Sequence, residues 1–352
     1  MTGAVTGESD EVLTHTDGDV GFITLNRPKV INSLTQTMVD LLSTVLIRWE
    51  RDEAVRAVVL SGAGERGLCA GGDVVAVYHS ARKDGVEARR FWRDEYLLNG
   101  QVGRFAKPYV SLMDGIVMGG GVGVSAHANT RVVTETSKIA MPEVGIGFIP
   151  DVGGAFLLSR APGALGLHAA LTGAPFSGAD AIAMGFADHY VPRSELDKFT
   201  AAIVSDGVQS ALAGYATEPP PSAFAAQRDW IDECFAGDTV EDIVAALRGH
   251  RGAAAGAADD AANLIASRSP IAVSVALEAV RRAAKLETLE DVLIQDYRVS
   301  SASVRSHDLV EGIRAQIIDK DRNPKWSPAT LAAVTAADID AYFAPVDDDL
   351  SF

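Results

Sequence analysis

The sequence predicts an α/β core followed by a helical region. Three observations carry this. Short strand-like runs alternate with amphipathic helical stretches as far as Val191. A proline-rich segment, Glu218-Pro219-Pro220-Pro221-Ser222, then breaks the pattern as a stiff, extended linker. Beyond it the residues read almost wholly as helix. The expected division is a core over residues 11–215 and a helical region over 216–352.

Gly21-Phe22-Ile23-Thr24-Leu25 alternates and is rich in strand formers, and Asn26-Arg27-Pro28-Lys29 ends it. Residues 35–49 place Met38, Leu41, Leu42, Val45 and Leu46 on one helical face, with Thr35 or Ser33 as the cap. Residues 56–61 form a short apolar run suited to a buried strand. A helix over 87–102, a strand over 108–113, a small-residue helix over 119–128 and a strand over 131–134 follow. Residues 155–185 read as helix broken by Pro162-Gly163 and Gly173-Ala174-Pro175, and 187–191 as a last short strand. In the second region the helices fall at 223–235, 240–250, 254–267, 271–285 and 288–306.

Composition excludes several classes of function. The formal net charge of −16 repels nucleic acid and anionic membranes. An anionic substrate would need a local basic cluster. No apolar run reaches membrane-spanning length, and residues 1–10 lack the basic and apolar parts of a signal peptide, so a cytoplasmic protein is expected. Cys69 and Cys234 cannot build a disulfide framework, and the seven histidines show no metal-ligand spacing, so no metal is expected.

Three segments carry the chemistry. Cys69-Ala70-Gly71-Gly72-Asp73 and Met118-Gly119-Gly120-Gly121-Val122-Gly123 are glycine-rich. Such runs let backbone N–H groups approach a developing oxyanion, the second with a helix behind it. Taken singly, each is more commonly a turn or a close packing. The second does not satisfy G-x-G-x-x-G, because Val124 stands at the last glycine, and no G-K-[ST] follows. The third segment, residues 140–154, sets Glu143 and Asp151 eight positions apart among apolar residues and glycines. Lost hydration raises the pKa of such acids and suits a general base or nucleophile. The plainer alternatives pair Glu143 with a buried arginine and make Asp151 the cap of a helix starting at Gly153.

Together with Leu25-Asn26-Arg27-Pro28, Glu95-Tyr96, Lys107-Pro108-Tyr109-Val110 and the run from His307 to Trp326, these segments resemble the crotonase (enoyl-CoA hydratase/isomerase) superfamily. Within it the chain is most similar to the 3-hydroxyisobutyryl-CoA hydrolases, from about Val20 to Phe343. The resemblance implies a crotonase-like (ClpP/crotonase) spiral of ββα units with a helical C-terminal region. It implies an oxyanion hole from the Gly72 and Gly120 N–H groups, and substrate contacts from Glu95, Gly120, Glu143 and Asp151. It also implies acyl-CoA thioester hydrolysis in valine breakdown, with Glu143 as nucleophile or general base and Asp151 binding the acyl hydroxyl or steering water. No cofactor is expected, since coenzyme A is part of the substrate. The hydratases of this superfamily use two glutamates; one matches Glu143, but the other falls at Gly123. An enoyl-CoA hydratase or isomerase is the first alternative, and a non-catalytic acyl-CoA-binding protein the second. Relatives of this kind often trimerise, so a homo-oligomer is one arrangement open to the chain; helices after residue 216 covering that surface is the other. His127, His307 and Cys69 are expected to be structural, Asp73 to pin its loop, and Asp308, Glu311, Arg314 and Lys320 to form an ion-pair network.

Overall fold

The computed structural model describes residues 10–352. They form two compact units that interleave along the chain. The first takes the chain up to Gly72, Leu97–Ile139 and Phe176–Ser222; the second takes Asp73–Tyr96, Ala140–Pro175 and Ala223–Phe352. The compact units thus follow a different partition from the linear boundary expected at 215/216. The reason is packing: in the second unit, the Leu165–Thr172 helix buries its apolar side against the Pro270–Ala283 and Ala255–Ala266 helices.

The first unit is built on a sheet. Strands β1 (Val12–Asp17), β2 (Val20–Leu25), β3 (Ala57–Gly62), β4 (Tyr109–Met113), β5 (Ile116–Met118), β6 (Thr130–Val133), β7 (Lys138–Ala140), β8 (Phe176–Ser177) and β9 (His189–Tyr190) occur in chain order. Six of them form a sheet ordered β1-β2-β3-β4-β6-β9, and β5-β7-β8 form a second. β1 pairs antiparallel with β2, and the remaining pairs of the large sheet are parallel. The unbroken apolar run Ala57-Val58-Val59-Leu60 belongs to a central strand covered on both faces, as parallel strands require. Val20, Val59, Val110 and Val132 form a cluster with Phe199, Ile203 and Leu212 of the Leu196–Asp206 and Val208–Tyr215 helices.

The Gln36–Arg51 helix starts where its cap predicts, Thr35 accepting from the Met38 N–H at 3.1 Å. Two family-like segments tie loops down. Lys107 Nζ donates to the carbonyls of Trp49, Asp52 and Val55 at 2.6, 2.7 and 2.6 Å. Arg27 N–H donates to the side chain of buried Asn32, whose Nδ2 reaches the carbonyls of Ala63, Gly67 and Leu68. That fan of bonds fixes the approach to Gly71-Gly72.

The second unit is helical. All five helices expected beyond residue 222 are present, as Arg228–Cys234, Val240–Gly249, Ala255–Ala266, Pro270–Ala283 and Leu289–Ser303. Short helices at His307–Ile313 and Ala336–Ala341 were not expected. The C-terminal ion-pair network is centred on Arg314, which binds Glu311, Asp319 and Asp321 at 2.8, 2.6 and 2.7 Å. Asp308 instead accepts from Ser269 Oγ and the Ser327 N–H, so it joins two segments without an ion pair.

Candidate functional site

In the first unit the two glycine segments lie against each other. Cys69 N–H donates to the Ile116 carbonyl and Met118 N–H to the Cys69 carbonyl, at 3.1 and 3.0 Å. Leu34 N–H donates to the Gly71 carbonyl at 2.8 Å, and Gly72 bridges Leu34 in parallel. Two glycines here are required. Gly71 has φ +106°, a conformation that L side chains rarely adopt. A Cβ at Gly121 would stand 2.5 Å from the Cys69 carbonyl oxygen. Neither the Gly72 nor the Gly120 N–H is a donor in the hydrogen bonds that hold these turns. The small-residue helix is shorter than the sequence suggests, spanning Gly120–Ser125 rather than running to residue 128. In its last turn the Ser125 hydroxyl bonds back to the Gly121 carbonyl at 2.6 Å. With only 6 residues the helix adds little dipole, so the donors act as individual N–H groups.

Cys69 is buried outside any disulfide, its Sγ donating to the Asn32 carbonyl at 3.2 Å, consistent with a structural residue; Cys234 is likewise buried. Asp73 caps the Val74–Ala81 helix through the Ala76 N–H. His127 is buried, and His307 meets the Lys325 carbonyl through Nε2 at 2.8 Å. Among the described residues no group of His, Cys, Asp and Glu could hold a metal ion, and no helix is long and apolar enough to cross a membrane.

The second unit gathers the acids. Glu95 comes from the Val86–Arg104 helix, Glu143 opens the 3-10 turn Glu143–Ile146, and Asp151 precedes the Gly154–Leu158 helix. They are 2%, 7% and 5% exposed. A fourth buried acid, Asp296 of the Leu289–Ser303 helix, joins them. Among the described residues no cation acts on this cluster. The half-buried Arg268 beside the Glu143 turn donates from Nε and Nη2 to the Thr172 carbonyl at 3.1 and 2.6 Å rather than to Glu143, against the arginine-pair alternative. Glu95 Oε1, Glu143 Oε2 and Asp296 Oδ1 are buried without a hydrogen-bond partner in the protein. Leaving such oxygens unpaired costs on the order of 1–3 kcal/mol each, which marks the cluster as serving something other than stability.

Asp151 is better served. Tyr96 donates its hydroxyl to Asp151 Oδ2 at 2.6 Å, and the same phenol oxygen lies 2.6 Å from Ser300 Oγ. The helix-cap alternative for Asp151 is overturned: Gly153 occupies the N-cap position, and its N–H is taken by Asp296 Oδ2 at 2.8 Å. The side chain of Asp151 is thus committed to Tyr96, while Val152 and Gly153 turn the chain with φ +53° and +74°.

The electrostatics follow from burial and crowding. Burial first, and then the charge of Asp151, hold the Glu95 carboxyl well above its ordinary range. Burial, Asp151, Glu95 and Asp296 do the same to Glu143, partly opposed by its own backbone N–H. Asp296 is raised by burial and by Asp151. Asp151 is pushed up by burial to about 7, with the Tyr96 hydroxyl pulling the other way. Acids so arranged titrate as a group, and Asp151, pushed up to about 7, can accept a proton near neutral pH.

The structure therefore brings Glu95, Glu143 and Asp151 together in the second unit, and Gly72 and Gly120 together in the first. Sequence reasoning missed Asp296 and Ser300 and assigned Tyr96 no role. A signal existed: Val292, Asp296, Val299, Ser300 and Ser303 share the buried stripe of one helix, where an aspartate is out of place.

Comparison with known proteins matches residues 20–343 to the enoyl-CoA hydratase/isomerase family. The mitochondrial 3-hydroxyisobutyryl-CoA hydrolase of Danio rerio is 38% identical over 96% of this chain and 90% of its own length. The corresponding Homo sapiens protein is 38% identical over 99% and 92%. Among solved structures, a carnitinyl-CoA dehydratase from Mycobacterium thermoresistibile is 69% identical, with a TM-score of 0.94 over 98% of this chain and 99% of that one. An enoyl-CoA hydratase from Rhodobacter sphaeroides 2.4.1 is 38% identical, with a TM-score of 0.91 over 97% and 100%. The expected crotonase-like fold with a helical C-terminal region is thus present. This chain belongs to the enoyl-CoA hydratase/isomerase family of the crotonase superfamily.

Proposed function

We propose that the chain hydrolyses a short hydroxyacyl-CoA thioester, with 3-hydroxyisobutyryl-CoA the preferred substrate and valine breakdown the setting. The observation that carries this reading is the buried acid cluster, in which Glu143 and Asp151 accompany Glu95 without a neutralising cation. The 38% identity to hydrolases over nearly the whole chain supports it.

In the proposed chemistry the Gly72 and Gly120 N–H groups accept the charge that develops on the thioester oxygen. One such donor typically supplies about 3 kcal/mol of transition-state stabilisation. Glu143, once ionised, either attacks the thioester carbon to form a mixed anhydride or takes a proton from the attacking water. The carbon–sulfur bond breaks and coenzyme A leaves as a thiolate, which becomes the thiol by taking the proton that Glu143 drew from water or, on the anhydride route, a proton from solvent; water then cleaves the anhydride into the hydroxy acid and free Glu143. Asp151 accepts from the acyl hydroxyl or from water, and Glu95 helps hold the acyl group. The scheme uses no cofactor.

A second reading has a specific observation behind it, the 69% identity to a chain described as a carnitinyl-CoA dehydratase. Removing or adding water across a carbon–carbon bond divides proton handling between two acids. Here the position of the second hydratase glutamate is Gly123, buried within the Gly120–Ser125 helix. That favours hydrolysis.

Single turnover in labelled water tests the chemistry. Label in Glu143 supports the anhydride; label in the acid product alone supports direct water attack; no labelled acid and no thiol removes the hydrolase reading. A panel of 3-hydroxyisobutyryl-, 3-hydroxypropionyl- and crotonyl-CoA tests acyl preference, with the first expected to have the highest kcat/KM.

A further inference from the structure

We propose that Tyr96 and Ser300 are positioning residues for Asp151: Ser300 donates to the Tyr96 oxygen, Tyr96 donates to Asp151, and this chain of two bonds makes Asp151 the anion of the resting cluster.

With Asp151 as the anion, counting protons sets the polarity of the chain. Tyr96 has one hydroxyl proton, and it goes to Asp151 Oδ2 at 2.6 Å. The 2.6 Å contact with Ser300 must then be closed by the serine proton. A phenol that is itself a hydrogen-bond acceptor becomes a stronger donor. Both hydroxyl residues are fully buried, Tyr96 and Ser300 each at 0% exposure, so water does not compete for these bonds.

The neighbours of Asp151 make the asymmetry plain. The ionisable groups acting on it are Glu95 and Tyr96 on the Val86–Arg104 helix, Glu143 on its 3-10 turn and Asp296 on the Leu289–Ser303 helix. All are acids, and no cation is among them. Glu95, Glu143 and Asp296 each leave one oxygen without a protein donor. Asp151 alone of the four receives a hydroxyl. Crowding permits little charge in the cluster, and a charge-assisted hydrogen bond of 2.6 Å decides where it goes. The cost falls on Tyr96, whose own ionisation is pushed far up by burial and then by Asp151. Tyr96 is therefore a permanent donor and not an acid or base in turnover.

The inference bears on turnover through the hydrolase reading above, but its structural part can be tested apart from it. The experiment uses full-length protein labelled with 13C at the aspartate carboxyls, with the Asp151 signal assigned by its loss in Asp151→Asn. Removing the Tyr96 hydroxyl in Tyr96→Phe should raise the Asp151 titration midpoint by roughly one to two pH units, the size expected for a hydrogen bond to a charged group. Ser300→Ala should raise it by less. Thiol release from 3-hydroxyisobutyryl-CoA should then fall in kcat at neutral pH, with little change in KM, and recover at higher pH. An unmoved midpoint in folded variants overturns the inference, as does a loss of turnover that is equal at every pH. If Tyr96→Phe fails to fold, Ser300→Ala decides alone. If the wild-type protein releases no thiol, the hydrolase reading fails, and the titration still decides the role of Tyr96.

Discussion

The glycine turns of the first unit and the acid cluster of the second solve opposite problems. Around Gly72 and Gly120 the chain offers backbone donors, and the nearby Asp73 carboxylate is turned to cap the Val74–Ala81 helix. The precision of these turns comes from contacts such as the 2.5 Å that a Gly121 Cβ would leave to Cys69. Around Glu143 and Asp151 the chain buries four acids, and several of their oxygens stay unpartnered. The first arrangement is tightly packed and intolerant of added volume. The second is poorly satisfied and sensitive to charge. Substitutions should therefore act by size in one region and by ionisation in the other.

The largest effect should come from the acids. Glu143→Gln keeps the volume and removes the base, and kcat for thiol release should fall by about 10²–10⁴-fold. Binding of coenzyme A, followed by calorimetry, should persist. Equal turnover in the variant would point instead to an acyl-CoA-binding protein with adventitious activity.

Gly121→Ala should come next. The added methyl must displace the Cys69 carbonyl, which lies in the same turn as Gly72. Losing one oxyanion donor lowers kcat by about 10²–10³-fold, and crowding also lowers the melting temperature. A variant with normal kcat would break the assignment of these turns to the oxyanion.

A third effect separates charge from volume. Asp151 has a folded pKa of about 7 against an ordinary value of 3.8. The folded state holds that proton more tightly, so its contribution to stability is fully present below the unfolded value. It is lost as pH rises through the folded value. The melting temperature of the wild-type protein should thus decline between pH 3.8 and about 7. Glu95, Glu143 and Asp296 are raised too and act in the same direction. Asp151→Asn should flatten the decline, both by removing its own term and by relieving theirs. A curve with unchanged slope would contradict the crowding described here.

The smallest effect is expected at the C-terminal end of the second unit. Asp349→Ala removes the ion pair with Arg298, whose guanidinium and carboxylate are 33% and 25% exposed. A change of about 0.2–1 kcal/mol in unfolding free energy is the usual size for such a pair.

The two regions also differ in how far they could be read from sequence. Gly71-Gly72 and Gly119-Gly120-Gly121 are contiguous, so their conformational demands are written in one place. Glu143 and Asp151 were conspicuous because acids are rare in apolar glycine-rich stretches. Tyr96, Asp296 and Ser300 were not, because each lies within a long helix whose sequence does not say which turn will face the acids. β1 was overlooked because Val12–Asp17 is mostly exposed and carries little apolar alternation. Local spacing offers Asp151 a helix-cap alternative, which a hydroxyl 55 residues away in sequence excludes by taking its carboxylate.

The central claim is hydrolysis rather than hydration, and one paired measurement tests it most directly. Free thiol and enoyl-thioester absorbance are followed together while the protein is given 3-hydroxyisobutyryl-CoA and, separately, crotonyl-CoA. The account predicts rapid thiol release from the hydroxyacyl thioester, lost in Glu143→Gln, and little change in crotonyl-CoA. Loss of crotonyl absorbance without free thiol would contradict it.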